Sequence, residues 1–201
     1  MDIKNVSPGK PRVTGAIFRA PMGTPAPTDA VTQLAAEYKN LGYVSQEGVT
    51  NANTATKQKN YAWGGTPVMN STTEKPDEFT FTLLESLNPE VLKVVYGEKN
   101  VTVSQDGKEI SVKATADDTP AEIFVVDMML GADALKRIVI PHGELSNVAS
   151  IVYQDSQPVG YKITISAMYD NAAVSHYEYI KKNDAAVVAP ANAEPTGEGN
   201  V

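Results

Sequence analysis

Apolar and polar residues alternate along most of this chain in short runs that Gly, Pro, Asn or Asp interrupt. A period of two puts successive side chains on opposite faces of a strand, so the pattern predicts a mainly β fold, a sandwich or barrel of antiparallel strands. The clearest run is 78–84, where Phe79, Phe81 and Leu83 share the face that must be core, and Thr80, Thr82 and Leu84 the other. Upstream, residues 13–19 read as a first strand with Val13, Gly15, Ile17 and Arg19 on one face, ending at Pro21. Residues 41–47 read as the next, closed by Gly48. Downstream, strands are predicted over 122–130, 135–141, 145–153, 159–168 and 175–180. Residues 101–104 and 109–113 flank Asp106-Gly107, a pair suited to the positive φ angles of a type I′ hairpin turn.

Three segments depart from that period. Over 89–96, Val91, Leu92, Val94 and Val95 make an apolar stripe, Asn88 can cap the first free N–H groups, Pro89 suits the first helical position and Gly97 supplies the stop. One helix flanking the sheet is predicted there. Residues 29–38 carry a weaker helical spacing in Val31, Leu34, Ala35 and Tyr38, short enough that only a turn of helix is expected. Residues 49–77 form an excursion far longer than the ~4–6 residues of an ordinary connection. Within it Tyr61, Trp63, Val68 and Met69 surround Gly64-Gly65, which reads as two strand pieces joined by a tight turn. An excursion of that length is expected either to bind something or to be disordered, and Trp63 serves either as a core anchor or as an interface anchor. The domain plan is an N-terminal arm over 1–12, a β domain over 13–182, and a flexible tail over 183–201 whose Ala, Pro, Gly and Asn content cannot offset the entropy of ordering.

Charge and composition narrow the function. The formal charge is −7, from 24 acidic and 17 basic side chains with no strong basic cluster, which argues against tight nucleic-acid binding. With no cysteine there is no disulfide, thiolate nucleophile or cysteine metal site. No apolar run approaches the ~20 residues of a membrane span, and residues 1–10 lack the apolar core of a signal peptide, so folding in the cytosol is expected. The N-x-S/T matches at Asn5, Asn70 and Asn100 therefore imply no sugar. His142 and His176 fall on separate predicted strands without metal-ligand spacing, and phosphate-loop and nucleophile-elbow patterns are absent. No catalytic, metal or cofactor site is predicted. Asp117-Asp118 lie in a turn before Thr119-Pro120, and Asp127 interrupts the apolar run 123–130, where an acid is expected at a polar sheet surface or a subunit contact.

The runs Gly15-Ala-Ile-Phe-Arg-Ala-Pro-Met-Gly-Thr24, Leu41-Gly-Tyr-Val-Ser-Gln-Glu-Gly48 and Ala62-Trp-Gly-Gly65 resemble the N-terminal half of siphophage major tail (tail tube) proteins. So do Glu78-Phe-Thr-Phe-Thr-Leu-Leu-Glu-Ser-Leu-Asn88 with Val91-Leu-Lys-Val-Val-Tyr-Gly97, and the later Leu135-Lys-Arg-Ile-Val-Ile-Pro141 and Gly160-Tyr-Lys-Ile-Thr-Ile165. The resemblance implies a β-sandwich or barrel with one flanking helix, commonly hexameric rings stacked into a hollow tube, and a long loop with terminal arms bridging neighbours. Its implied partners are copies of the chain itself and the tape measure, tail terminator and baseplate or distal tail proteins. Phage DNA passes through without specific binding, and the location is the virion tail, assembled in the host bacterial cytoplasm. On this reading Tyr61, Trp63 and Met69 are expected at inter-subunit contacts. Asp127, Asp117 and Asp118 are expected as acids of a lumen that repels DNA. A carbohydrate- or receptor-binding β-sandwich of a phage particle, with 49–77 as ligand loop, is the alternative.

Overall fold

The most apolar stretch of the chain becomes the centre of the sheet, where a strand must bury both faces. In the computed structural model, which describes residues 5–131 and 134–182, that stretch is β10 (Glu122–Leu130), antiparallel to the long β11 (Ala134–Val148). The other strands are β1 (Gly9–Pro11), β2 (Ile17–Pro21), β3 (Lys39–Asn40), β4 (Val44–Ala52), β5 (Thr56–Tyr61), β6 (Pro67–Glu74), β7 (Glu78–Leu83), β8 (Val101–Val103), β9 (Ile110–Val112), β12 (Tyr161–Ala167) and β13 (Tyr177–Lys182). The main sheet runs β3-β2-β10-β11-β12-β7-β4 and is antiparallel throughout. Two of its neighbours are interrupted strands. β2 and β1 lie end to end along β10, facing Glu122–Val126 and Met128–Leu130 respectively. β12 and β13 lie end to end along β11, against Gly143–Val148 and Ala134–Val139.

The sheet buries a core on each side. On one, Phe79, Phe81 and Leu83 of β7 meet Ile163 and Ile165 of β12, Ile138 and Ile140 of β11, Phe124 and Val126 of β10, and the helix α1 (Pro89–Tyr96) through Val91, Leu92, Val94 and Val95. Asn88 accepts from Glu90 N at the start of α1, and Gly97 ends it at φ 93°. On the other, Ala20, Ile123, Val125 and Val139 are covered by Leu34 and Tyr38 and by Tyr177 and Tyr179 of β13. This is the mainly β sandwich with one flanking helix that the alternation predicts. Glycine at 143 is part of its packing: a Cβ there would lie 2.6 Å from Phe124 Cδ2 and 2.9 Å from Ile165 Cγ2, both core side chains. Gly143→Val is therefore expected to lower stability by about 1–3 kcal/mol in a denaturant titration, and an unchanged midpoint would show that the core yields freely there.

Several boundaries differ from expectation. The strand expected over 13–19 is β2, which begins only at Ile17 and runs to Pro21, and Val13 is fully exposed in the loop between β1 and β2. Residues 29–38 make no helix. The Asp29 carboxylate accepts from the N–H groups of Val31 and Thr32, and Arg137 takes the carbonyls of Asp29 and Thr32, acceptors a helix would need for its own N–H groups. Gly48 does not close a strand. It sits at φ 71° in a bulge between Val44 and Val49, beyond which β4 continues to Ala52 against β7. The predicted strands 135–141 and 145–153 are one strand as far as Val148, and residues 151–160 are a connection. At the β8–β9 turn only Gly107 takes a positive φ, with Gly107 N bonded to Ser104 O at 2.9 Å, so the hairpin forms without a type I′ turn. The arm residues 1–4 and the tail 183–201 lie outside the described residues.

Candidate functional site

The excursion 49–77 is a β-ribbon. β5 pairs with β6 from Thr56↔Glu74 to Tyr61↔Pro67, and Ala62 to Thr66 close its tip with Ala62 N donating to Thr66 O at 2.8 Å and Gly65 N to Ala62 O at 3.0 Å. Gly64 (φ 100°) and Gly65 (φ 87°) allow that tight reversal, which a side chain at either position would strain. The ribbon grows from the main sheet, since β4 precedes it, β7 follows it, and these two pair at Ala52↔Glu78. Trp63 at the tip is 106 % exposed, and Tyr61, Val68 and Met69 are each more than half exposed. Trp63 is therefore no core anchor of the isolated chain. An apolar cluster raised on a projecting ribbon is a surface that association would remove from water.

The root of the ribbon is clamped. Asp77, buried, accepts from Asn51 Nδ2 at 2.7 Å, from Ser175 Oγ at 2.6 Å and from His176 Nδ1, while its carbonyl accepts from Ala167 N at 2.8 Å. The His176 ring also meets Phe79 edge-on. Burial opposes the charge on Asp77, but the bonds from Ser175, Asn51 and His176 outweigh it and hold the carboxyl below its ordinary value of 3.8. A lowered folded-state value means that the ionised form contributes stability above that ordinary value, lost as pH falls through the folded one. Asp77→Asn is expected to unfold at lower temperature than the parent near neutral pH, with the gap closing as pH falls below the ordinary carboxylate value of 3.8. A gap independent of pH would remove the carboxylate from the account.

Two arginine networks tie the strands together. Opposite each other on β10 and β11, Asp127 and Arg137 pair through Nε–Oδ1 at 2.6 Å and Nη2–Oδ2 at 2.8 Å, with Arg12 Nη1 adding a 3.2 Å contact. Arg137 Nη1 reaches Asp29 O and Thr32 O at 3.0 and 2.9 Å, pinning the strap over the second core. Asp127 is 2 % exposed, so it is corrected from a surface or lumen acid to half of a buried ion pair. The second network centres on Arg19, which donates to Glu90 at 2.6 Å, to Glu98 at 2.7 Å and to Glu122, while Lys93 bridges Glu90 and Glu98 at 2.9 and 3.0 Å. Burial works against the charge on Arg19, yet the hydrogen bond to Glu98 and the fields of Glu122 and Glu90 raise its pKa further. Burial likewise raises Glu122, and Arg19 only partly offsets it. This network lies in a groove of about 770 Å³ between α1, the end of β2 and residues 36–39.

The remaining singled-out residues scatter. Asp117 and Asp118 are exposed in the connection between β9 and β10, and His142 on β11 lies 3.3 Å from Glu144. Among the described residues no three His, Cys, Asp or Glu side chains are grouped to hold a metal, and no helix is long and apolar enough to cross a membrane. Tyr61, Trp63 and Met69 do share one ribbon. Sequence reasoning passed over Arg12, Arg19, Arg137 and Asp77. The readable signal for one of them was the charged pair Lys136-Arg137 standing between Leu135 and the apolar run from Ile138.

An antiparallel sandwich whose outer strands have no second strand partner among the described residues, and whose ribbon exposes apolar side chains near its tip, has the build of a structural subunit. The family described as phage tail tube protein matches residues 12–193, and the chain belongs to it. It is thus a structural, self-assembling component of a phage tail tube. No curated protein matches the chain.

Proposed function

We propose that this chain is the major tail tube subunit of a siphophage, closing into hexameric rings that stack into a hollow conduit for DNA at ejection. The carrying observation is the ribbon tip, where Trp63, Tyr61 and Met69 are held out from a clamped root. Sheet borders supply a second contact. β1, β10, β11 and β13 form one patch through Gly9↔Leu130, Leu130↔Ala134 and Ala134↔Lys182, and its outer strands β1 and β13 have no second strand partner among the described residues. Pairing such borders between copies closes a ring, and a head-to-tail contact through the ribbon stacks rings into a filament. The chain would meet the tape measure, terminator and distal tail proteins at the ends of the tube.

Acids that repel DNA are proposed at Asp117 and Asp118, which are exposed; Asp127 leaves that set because its charge is buried and spent on Arg137. Electron microscopy of the concentrated purified protein tests the proposal. Rings or hollow filaments are expected, and persistent monomers that bind glycans on an array would replace it with a ligand-binding module.

A further inference from the structure

The ribbon and the Arg19 groove are complementary in charge and in polarity. Along its strands the ribbon carries Lys57 and Lys59, with a single acid, Glu74, at the root pair Thr56↔Glu74. The groove has an apolar wall, including Pro21, Met22, Ala36 and Pro120, and a rim in which Glu37, Glu90, Glu98 and Glu122 outnumber Arg19, Lys39 and Lys93. Arg19 and Lys93 are already bonded to Glu90, Glu98 and Glu122, whereas Glu37 and Lys39 are exposed and outside that network. The volume, about 770 Å³, lies in the range that receives large side chains or small ligands. Two other open grooves carry fewer acids: the one beside Ser45, Glu47, Val152 and Pro158 has one, and the one beside Arg12, Asn40 and Glu85 has one set against one base.

Resting on the tube reading above, we infer that the ribbon tip of one copy seats in the Arg19 groove of a neighbouring copy. Trp63 lies against the Pro21–Met22 wall, and Lys57 and Lys59 face the glutamate rim. The groove thereby becomes the receptor of a stacking contact, and α1, which supplies Glu90 and Lys93, becomes part of the interface as well as the cover of the core. Burying an exposed indole in an apolar slot is the kind of contact that dominates association energies, and opposed rim charges set its register.

The chain has no cysteine, so introduced cysteines are unique probes. Thr66→Cys at the tip combined with Met22→Cys on the groove wall is expected to give, after assembly and oxidation, a ladder of reducible multimers. Thr66→Cys with Val152→Cys in the other groove is expected to give none. Tubes that form without the Met22 ladder, or with an equal Val152 ladder, overturn the seat and leave the tube reading standing; wild-type protein that never forms tubes removes both. Should the cysteine pairs block assembly, Trp63, the sole tryptophan, reports the same contact by its emission. The emission is expected to move to shorter wavelength on assembly of otherwise unaltered protein. Glu37→Lys is expected to raise the concentration needed for assembly about tenfold, and Lys57→Glu in the same chain to recover part of it. An unshifted emission, or a Glu37→Lys protein that assembles like its parent, overturns the seat.

Discussion

Arg137→Met is expected to lower the unfolding free energy by about 3–5 kcal/mol, the range for removing one partner of a buried ion pair. The guanidinium is 1 % exposed and makes four hydrogen bonds, two to Asp127 and two to the strap carbonyls of Asp29 and Thr32. Its loss leaves the Asp127 carboxylate with only the longer Arg12 contact and two carbonyls without this donor. Set against the roughly 5–15 kcal/mol of a typical domain, the change takes the protein close to its unfolding threshold. The double variant Asp127→Leu/Arg137→Met removes both charges together and is expected to recover much of the loss, because the cost comes mainly from the stranded charge. Urea titrations of the parent and both variants measure this. A single variant that loses less than about 1 kcal/mol would show that Asp127 is neutralised or solvated without Arg137.

Trp63→Ser is expected to do the opposite: leave the isolated chain unchanged and stop it from assembling. Because the side chain is fully exposed, its removal should shift the folding free energy by no more than about 0.5 kcal/mol. Hot-spot aromatics at interfaces are worth about 2 kcal/mol or more, so each contact should weaken about 30-fold. Many such contacts repeat along a filament. Sedimentation at a series of concentrations, beside thermal unfolding of the monomer, separates the two effects, and a variant that unfolds early yet assembles would place the ring in packing instead.

Features that depend on neighbours in sequence were legible. The alternation around Phe79 and Phe81 located β7, and Asn88, Pro89 and Gly97 located α1 to the residue. Features set by distant partners were not. Nothing local in 29–38 shows that Arg137, more than a hundred residues away, takes its carbonyls, so a weak helical spacing was misleading. Asp127 was noticed as an interruption, but its meaning depends on the register that sets it opposite Arg137, and register is a property of two strands. Gly48 carries the same lesson: a glycine ends a strand or bulges it according to whether the partner continues, and β7 does. Trp63 was legible as an unusual residue, while its exposure became visible only once the excursion was seen to pair with itself.

The ribbon's two legs enter the sandwich through β4 and β7, which are bonded to each other, and β7 is joined to β12 over six successive pairs from Glu78↔Ser166 to Leu83↔Tyr161. A pull along the axis of β7 runs parallel to those strands. It is therefore shared as shear by the whole β7–β12 ladder, with Asp77 fastening the near end to Ser175 and His176, instead of unzipping one rung at a time. In the tube proposed above, a ribbon anchored in this way would resist being drawn out of its own subunit under axial load.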